Sequence, residues 1–223
     1  MVLIQNIHKS FGTLEVLKGV SLHIKKGEIV TIVGESGAGK STLLQIIGTL
    51  DKPSNPDRYH SIIEIDNLPI TQLRDKELSL FRNQNIGFIF QFHQLFPEFT
   101  ALENVMLPGM IAGKSKSKLV EKAKDLLSYL RLSHRLEHKP RELSGGEQQR
   151  VSVARALMNN PKIILADEPS GNLDSSNAED LHQLFYELRK EFNQTFIIVT
   201  HNPHLASMAD RSLLMKDGTI VNE

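Results

Sequence analysis

The chain has no cysteine and no tryptophan among its 223 residues. The first absence excludes disulfides, thiolate metal sites and cysteine nucleophiles. No charge of one sign is in excess either: 26 lysine and arginine residues balance 26 aspartate and glutamate residues. Nucleic-acid binders usually carry a basic surplus, so a global attraction to DNA or RNA is disfavoured. No run of about 18 apolar residues occurs, so no membrane-spanning helix is expected. The first residues, Met1-Val2-Leu3-Ile4-Gln5-Asn6, lack a charged segment followed by an apolar stretch. They do not read as a signal peptide. Work on a membrane would therefore go through a partner.

What is present is an ordinary globular mixture, 40% hydrophobic and 23% charged. Its length suits one domain carrying an inserted subdomain. Short β-type runs recur at 3–7, 20–24, 29–33, 62–65, 86–90, 163–166, 196–200 and 212–215. Ile163-Ile164-Leu165-Ala166 and Phe196-Ile197-Ile198-Val199 are apolar on both faces. Such strands belong at the centre of a parallel sheet covered by helices. Apolar residues at helical spacing mark 116–132 and 179–192, and 41–50 follows a glycine-rich turn. Two prolines in a polar run make 51–61 a loop. The expected fold class is α/β, with a core at 1–85 and 160–223 interrupted by a mainly helical subdomain at 86–159.

The strongest local signal is Gly34-Glu35-Ser36-Gly37-Ala38-Gly39-Lys40-Ser41-Thr42. It fits G-x-x-x-x-G-K-[ST], preceded by an apolar strand and followed by a helical pattern. Glycines let backbone N–H groups turn inward around phosphate oxygens, and the helix start adds its positive dipole end. Lys40 would meet the β- and γ-phosphates, and the Ser41 hydroxyl would ligate Mg²⁺. A second signal is the buried strand that ends in Asp167-Glu168. Carboxylates there sit where open α/β sheets bind ligands. Asp167 would hold Mg²⁺, through water, and Glu168 would polarise the attacking water.

Leu143-Ser144-Gly145-Gly146-Glu147-Gln148 opens another helical pattern. Ser144 and Glu147 fit a capping box, and on local physics alone this is simply a helix start. Taken with the phosphate loop, the two acids, Gln91, Ser170-Gly171-Asn172-Leu173-Asp174 and His201, the segment resembles the signature of ABC-type ATPases. The motifs stand in that family's order over essentially the whole chain. The resemblance implies a P-loop, RecA-like core with a mainly parallel sheet, an N-terminal antiparallel β part and an inserted helical subdomain.

It also implies an ATP-hydrolysing mechanism with ATP and Mg²⁺ as cofactors. Two copies would pack head to tail, each ATP lying between the phosphate loop of one copy and Leu143–Gln148 of the other. His201 would contact the γ-phosphate, and Gln91 would touch Mg²⁺ and the attacking water. Asn172 and Asp174 would cross the dimer interface. Phe11 stands where the family places an aromatic residue, often tyrosine, to stack on adenine. Phenylalanine keeps the π-face and loses the hydroxyl.

Six of the ten phenylalanines lie between 81 and 99: Phe81, Phe88, Phe90, Phe92, Phe96 and Phe99. They are either core or an apolar groove for a helix of a membrane partner, and the family places such a groove here. Lys114, Lys116, Lys118, Lys122 and Lys124 make a solvated helix face or a contact with anionic lipid. The segment Gln91–Val105 is similar to the ATPases of bacterial lipoprotein-releasing complexes. That resemblance implies integral membrane subunits as partners, a place on the cytoplasmic face of the inner membrane, and no direct contact with cargo. Alternatives are an efflux ATPase of the MacB type, usually fused to its membrane domain, and an FtsE-like regulator of cell-wall cleavage at division. One departure stands out: Ser54-Asn55-Pro56-Asp57-Arg58-Tyr59-His60 replaces the family's usual short, glycine-containing turn.

Overall fold

The computed structural model describes residues 1–222. In chain order its elements are β1 (Val2–Phe11), β2 (Leu14–Ile24), β3 (Ile29–Val33), α1 (Lys40–Ile47), α2 (Pro56–Tyr59), β4 (Ile62–Ile65), β5 (Leu68–Pro69), α3 (Asp75–Asn85) and β6 (Ile86–Phe90). There follow α4 (Ala101–Ile111), α5 (Lys116–Tyr129), α6 (Gly145–Leu157), β7 (Ile163–Asp167), α7 (Ser175–Phe192), β8 (Thr195–Val199), α8 (Pro203–Met208), β9 (Arg211–Lys216) and β10 (Thr219–Asn222). Single 3-10 turns lie at Ile70–Gln72 and Pro140–Glu142. The chain divides into two compact units, Met1–Ser79 with Tyr186–Glu223, and Leu80–Phe185.

The first unit holds two layers of strands. An antiparallel sheet runs in the order β2-β1-β4-β5. Val2 and Ile4 of β1 are buried, but the next buried residue is Ile7. The alternation breaks at Asn6, whose φ of 55° and the register shift there mark a bulge. The other strands run β10-β9-β3-β8. β3 pairs in parallel with both β8 and β9, while β10 returns antiparallel. All five residues of β8 and four of the five in β3 are buried, as strands covered on both faces must be.

The second unit pairs β6 and β7 in parallel, with Phe90 opposite Asp167. The helices α4, α5 and α6 pack on one another, and their residues Val105, Leu119, Ala123, Leu127, Val151 and Ala154 are buried. The expected α/β class, the N-terminal antiparallel part and the helical portion are therefore all present. The segment 51–61 is not wholly a loop. Pro56 presets a helical φ at the first position of a single turn, and Asn55 and His60 flank it at φ 47° and 50°. Helix α7 begins at Ser175, earlier than the apolar spacing indicates.

Candidate active site

The first unit holds the phosphate loop, Phe11 and His201. The second holds Gln91, the signature segment and the acids Asp167 and Glu168. β3 delivers the chain into the loop at Gly34. A Cβ there would come to 2.1 Å from the Met215 carbonyl oxygen, so no side chain fits. Gly39 caps α1 at φ 102°, a left-handed conformation that favours glycine. A Cβ on Gly39 would lie 2.8 Å from Leu17 and 3.1 Å from the Val16 carbonyl. No side chain caps α1 and no acid lies in its first turn. The amides and the positive dipole end therefore stay oriented for an anion. Lys40 Nζ donates to the carbonyls of Gly34 and Glu35, both at 2.9 Å. Those neutral acceptors are weaker partners for an ammonium than a phosphate would be.

His201 is exposed just beyond β8. The turn that carries it is well tied. Thr200 N donates to Ile32 O at 3.2 Å, and Thr200 Oγ1 accepts from Asn202 N at 3.0 Å. Asn202 Oδ1 then caps α8, accepting from His204 N and Leu205 N. Phe11 ends β1 opposite Leu14, with 53% of its surface exposed. Lys9 Nζ stands 4.9 Å from its ring centroid.

In the second unit Gln91 follows β6. Its Nε2 donates to Asn172 Oδ1 at 3.2 Å, and Asn172 Nδ2 donates back to Gln91 O at 3.0 Å. Asn172 thus clamps Gln91 within the chain. Asp167 closes β7, and Glu168 follows at φ 46°. A turn then brings Gly171 N to Glu168 O at 3.0 Å. A Cβ at Gly171 would lie 2.9 Å from Gln91 Nε2. Asp174 accepts from the backbone N and Nδ2 of Asn177 at 2.9 and 2.7 Å. Those bonds hold its carboxyl below the usual range and fix the start of α7.

Ser144 is the N-cap of α6. Its hydroxyl accepts from Glu147 N at 3.2 Å, and the Glu147 carboxylate accepts from Ser144 N at 2.8 Å, a complete capping box. Burial pushes the Glu147 carboxyl up, but hydrogen bonds from Ser144 and Arg135 outweigh it and hold the group low. Gly146 has no room for a Cβ, which would meet Asn177 Oδ1 at 2.4 Å. Gln148 Nε2 donates to the carbonyls of Pro140 and Leu143. Leu143 is buried, so the signature turn is anchored on both sides.

Among the clustered phenylalanines, Phe81 is core, Phe88 and Phe90 are half-buried, and Phe92, Phe96 and Phe99 are exposed. The Phe96 and Phe99 rings lie 5.7 Å apart. Both are presented by a residue the motifs do not reveal, the fully buried Asn104. Its Oδ1 accepts from Phe96 N, and its Nδ2 donates to the carbonyls of Phe96, Phe99 and Thr100. A polar residue on the apolar face of α4 is the one sequence signal for it. Arg155 is a second residue missed. Its guanidinium donates to the carbonyls of His93 and Gln94, and burial pulls it down to about 10. The lysine stretch is not a uniform solvated face. Lys114 and Lys122 donate to the side chains of Asn159 and Asn160.

A family model described as ABC transporter matches residues 17–171. The chain is 59% identical over 220 residues to the lipoprotein-releasing system ATP-binding protein LolD of Bacteroides thetaiotaomicron, covering 99% of each chain. It is 57% identical to the LolD protein of Cytophaga hutchinsonii, covering 97% of this chain and 96% of that one. Among solved structures it resembles the dimeric cassette MJ0796, described as a bacterial ABC transporter cassette, with a TM-score of 0.89. Identity is 42%, with 100% of this chain and 97% of that chain covered. A post-hydrolysis dimer of MJ0796 bound to ADP and Pi superposes with the same TM-score at 43% identity. With the model spanning most of its length and relatives aligning end to end, the chain belongs to the ABC transporter family as an ATP-binding, ATP-hydrolysing cassette.

Proposed function

We propose that this cassette powers the release of lipoproteins from a bacterial inner membrane through separate integral membrane subunits. The observation that carries the reading is the 59% identity over nearly the full length to a lipoprotein-releasing ATP-binding protein. The exposed, stapled phenylalanines Phe96 and Phe99 support it, since they offer an apolar surface for a partner helix. Among the described residues no helix is long and apolar enough to cross a membrane. The same likeness supports action from the cytoplasmic face through those subunits, without contact with cargo.

ATP is the nucleotide. The phosphate loop from Gly34 to Thr42 wraps its phosphates, Lys40 neutralises the β- and γ-oxygens, and Phe11 stacks on adenine. The donor set of a serine hydroxyl, a glutamine amide and a strand-end carboxylate fits Mg²⁺, a hard cation that keeps some of its water. Ser41, Gln91 and Asp167 would hold it, Asp167 through water, and Mg²⁺ would neutralise charge on the β- and γ-phosphates. Glu168 polarises the attacking water, and His201 holds the γ-phosphate. A second copy packs head to tail, so that its residues Leu143–Gln148 close over the same ATP, with Asn172 and Asp174 at the interface. Hydrolysis removes the contacts that the γ-phosphate makes to both sides, and the pair opens.

The test is to tag Glu168→Gln, trap it with ATP in native membranes, extract with detergent and identify what is bound. The expected result is a membrane protein with a large periplasmic domain, together with lipoprotein. Recovery of a division-site membrane protein with an activator of cell-wall hydrolases would overturn the reading.

A further inference from the structure

The unusual segment 51–61 is tied along the outer half of β1. Ser54 N donates to His8 O at 2.8 Å, and Ser10 N donates to Ser54 Oγ at 3.0 Å. Tyr59 stacks on His8 with ring centroids 3.8 Å apart and planes within 15°. The Asn6 side-chain amide reaches the Tyr59 carbonyl, and Ser61 Oγ donates to Asn6 O at 2.8 Å. These contacts steady the strand that ends in Phe11.

Lys9 is the member that reaches the ring. Its Nζ donates to Asp51 Oδ1 at 2.6 Å and to Lys52 O at 2.9 Å. Only 12% of its side chain stays exposed. A strand lysine ordinarily keeps its head in water; this one is held between two oxygens. Asp51 belongs to the turn that ends α1, where Leu50 N and Asp51 N both bond to Gln45 O. One rigid path therefore runs from the end of α1 through Asp51 to Lys9, and the ammonium stands 4.9 Å from the Phe11 centroid.

A cation over an aromatic ring is attracted to its electron-rich face. It occupies that face and leaves the other for a stacked base. It also draws π-density away, which lessens repulsion between the ring and a base on the far side. Phenylalanine has no hydroxyl to fix its ring, and Phe11 is half exposed.

We propose that Lys9, clamped by Asp51 and the Lys52 carbonyl, is the positioning residue that sets the Phe11 ring for adenine. The proposal rests on the assignment of Phe11 to the base. The clamp ends on α1, whose other end is the phosphate loop. It therefore fixes the spacing between the ring and the phosphate site.

The experiment measures, on the purified full chain, the Kd of ATP and the Ki of inorganic triphosphate in competition with a ribose-labelled ATP analogue. Phe11→Leu should raise the Kd of ATP about ten-fold, the loss of one stacked base. Lys9→Met and Asp51→Asn should each raise it about three-fold, and Lys9→Arg should recover most of that loss. The pair Phe11→Leu/Lys9→Met should be no weaker than Phe11→Leu alone, because Lys9 acts only through the ring. Triphosphate binding should not change in any variant. If Phe11→Leu binds ATP normally, the adenine assignment fails and the proposal with it. If Phe11→Leu is weak while Lys9→Met and Asp51→Asn bind normally, only the proposal fails. Equal losses for ATP and triphosphate in Lys9→Met would make Lys9 a structural residue and also overturn it.

Discussion

Glu168 sits at φ 46°, a conformation that a residue with a Cβ adopts at a cost of about 1 kcal/mol or more. The bond from Gly171 N to its carbonyl and the close approach of Gly171 to Gln91 hold it there. Glu168→Gln keeps the size and the backbone bond from Gly171 but removes the negative charge proposed to polarise water. ATP should bind with unchanged affinity and accumulate a dimer on a sizing column, while turnover falls about 10³-fold. Near-normal turnover would rule out Glu168 as the main catalytic carboxylate. Candidates of this kind can be named from the sequence because phosphate, Mg²⁺ and water each demand a residue type at a fixed spacing. The clamp between Gln91 and Asn172 cannot. It joins residues 81 apart and exists because β6 and β7 pair with Phe90 opposite Asp167. No local pattern encodes that register.

At the scale of elements, the strands were the most legible, since burial on both faces leaves β3, β7 and β8 apolar but for Thr31, Asp167 and Thr195. The start of α7 and the single turn α2 were less so, because Asp174 and Pro56 set them through capping and a fixed φ rather than apolar spacing. The loop after β6 was legible only as a cluster of phenylalanines. Its shape depends on Arg155, which α6 directs onto the carbonyls of His93 and Gln94, and on Asn104 of α4. Arg155→Met removes both hydrogen bonds and should cost about 2 kcal/mol in denaturant unfolding. Arg155→Lys should restore part of it, because an ammonium cannot span both acceptors in the plane of a guanidinium. The same loop should be sensitive to acid. Burial lowers the imidazole pKa of His93, and Arg155 lowers it further, against a hydrogen bond from the ring to Gln148. A group lowered in the folded state binds protons more readily when unfolded. Its stabilising contribution is therefore present above the ordinary imidazole value, about 6.5, and is lost as the pH falls. His93→Gln should flatten the melting temperature against pH between about 7 and 5 relative to the parent chain. An unchanged slope would assign the acid sensitivity to other groups.

At the scale of the whole molecule, a transporter cassette must join ATP turnover to a membrane partner. The nucleotide motifs answer to the chemistry of phosphate, metal and water, so they carry no information about that partner. The exposed surface does. Phe96 and Phe99 lie side by side, and Asn104 spends its whole side-chain amide on holding their backbone. A turn so fixed presents its rings without the entropy cost of ordering them on binding. Each phenylalanine buried against a partner is worth about 2 kcal/mol, more than ten-fold in affinity. Phe96→Glu and Phe99→Glu each remove that gain and would bury a charge in its place. Both variants should bind ATP within about two-fold of the parent, because the phosphate loop belongs to the other compact unit. Both should sediment with partner-containing membranes at least ten-fold more weakly. Asn104→Ala leaves the rings in place but frees the turn. It should weaken membrane association less than either glutamate variant while leaving ATP affinity intact. Such a ranking separates loss of apolar contact from loss of preorganisation. Normal sedimentation of Phe96→Glu and Phe99→Glu would place the docking surface elsewhere on the cassette.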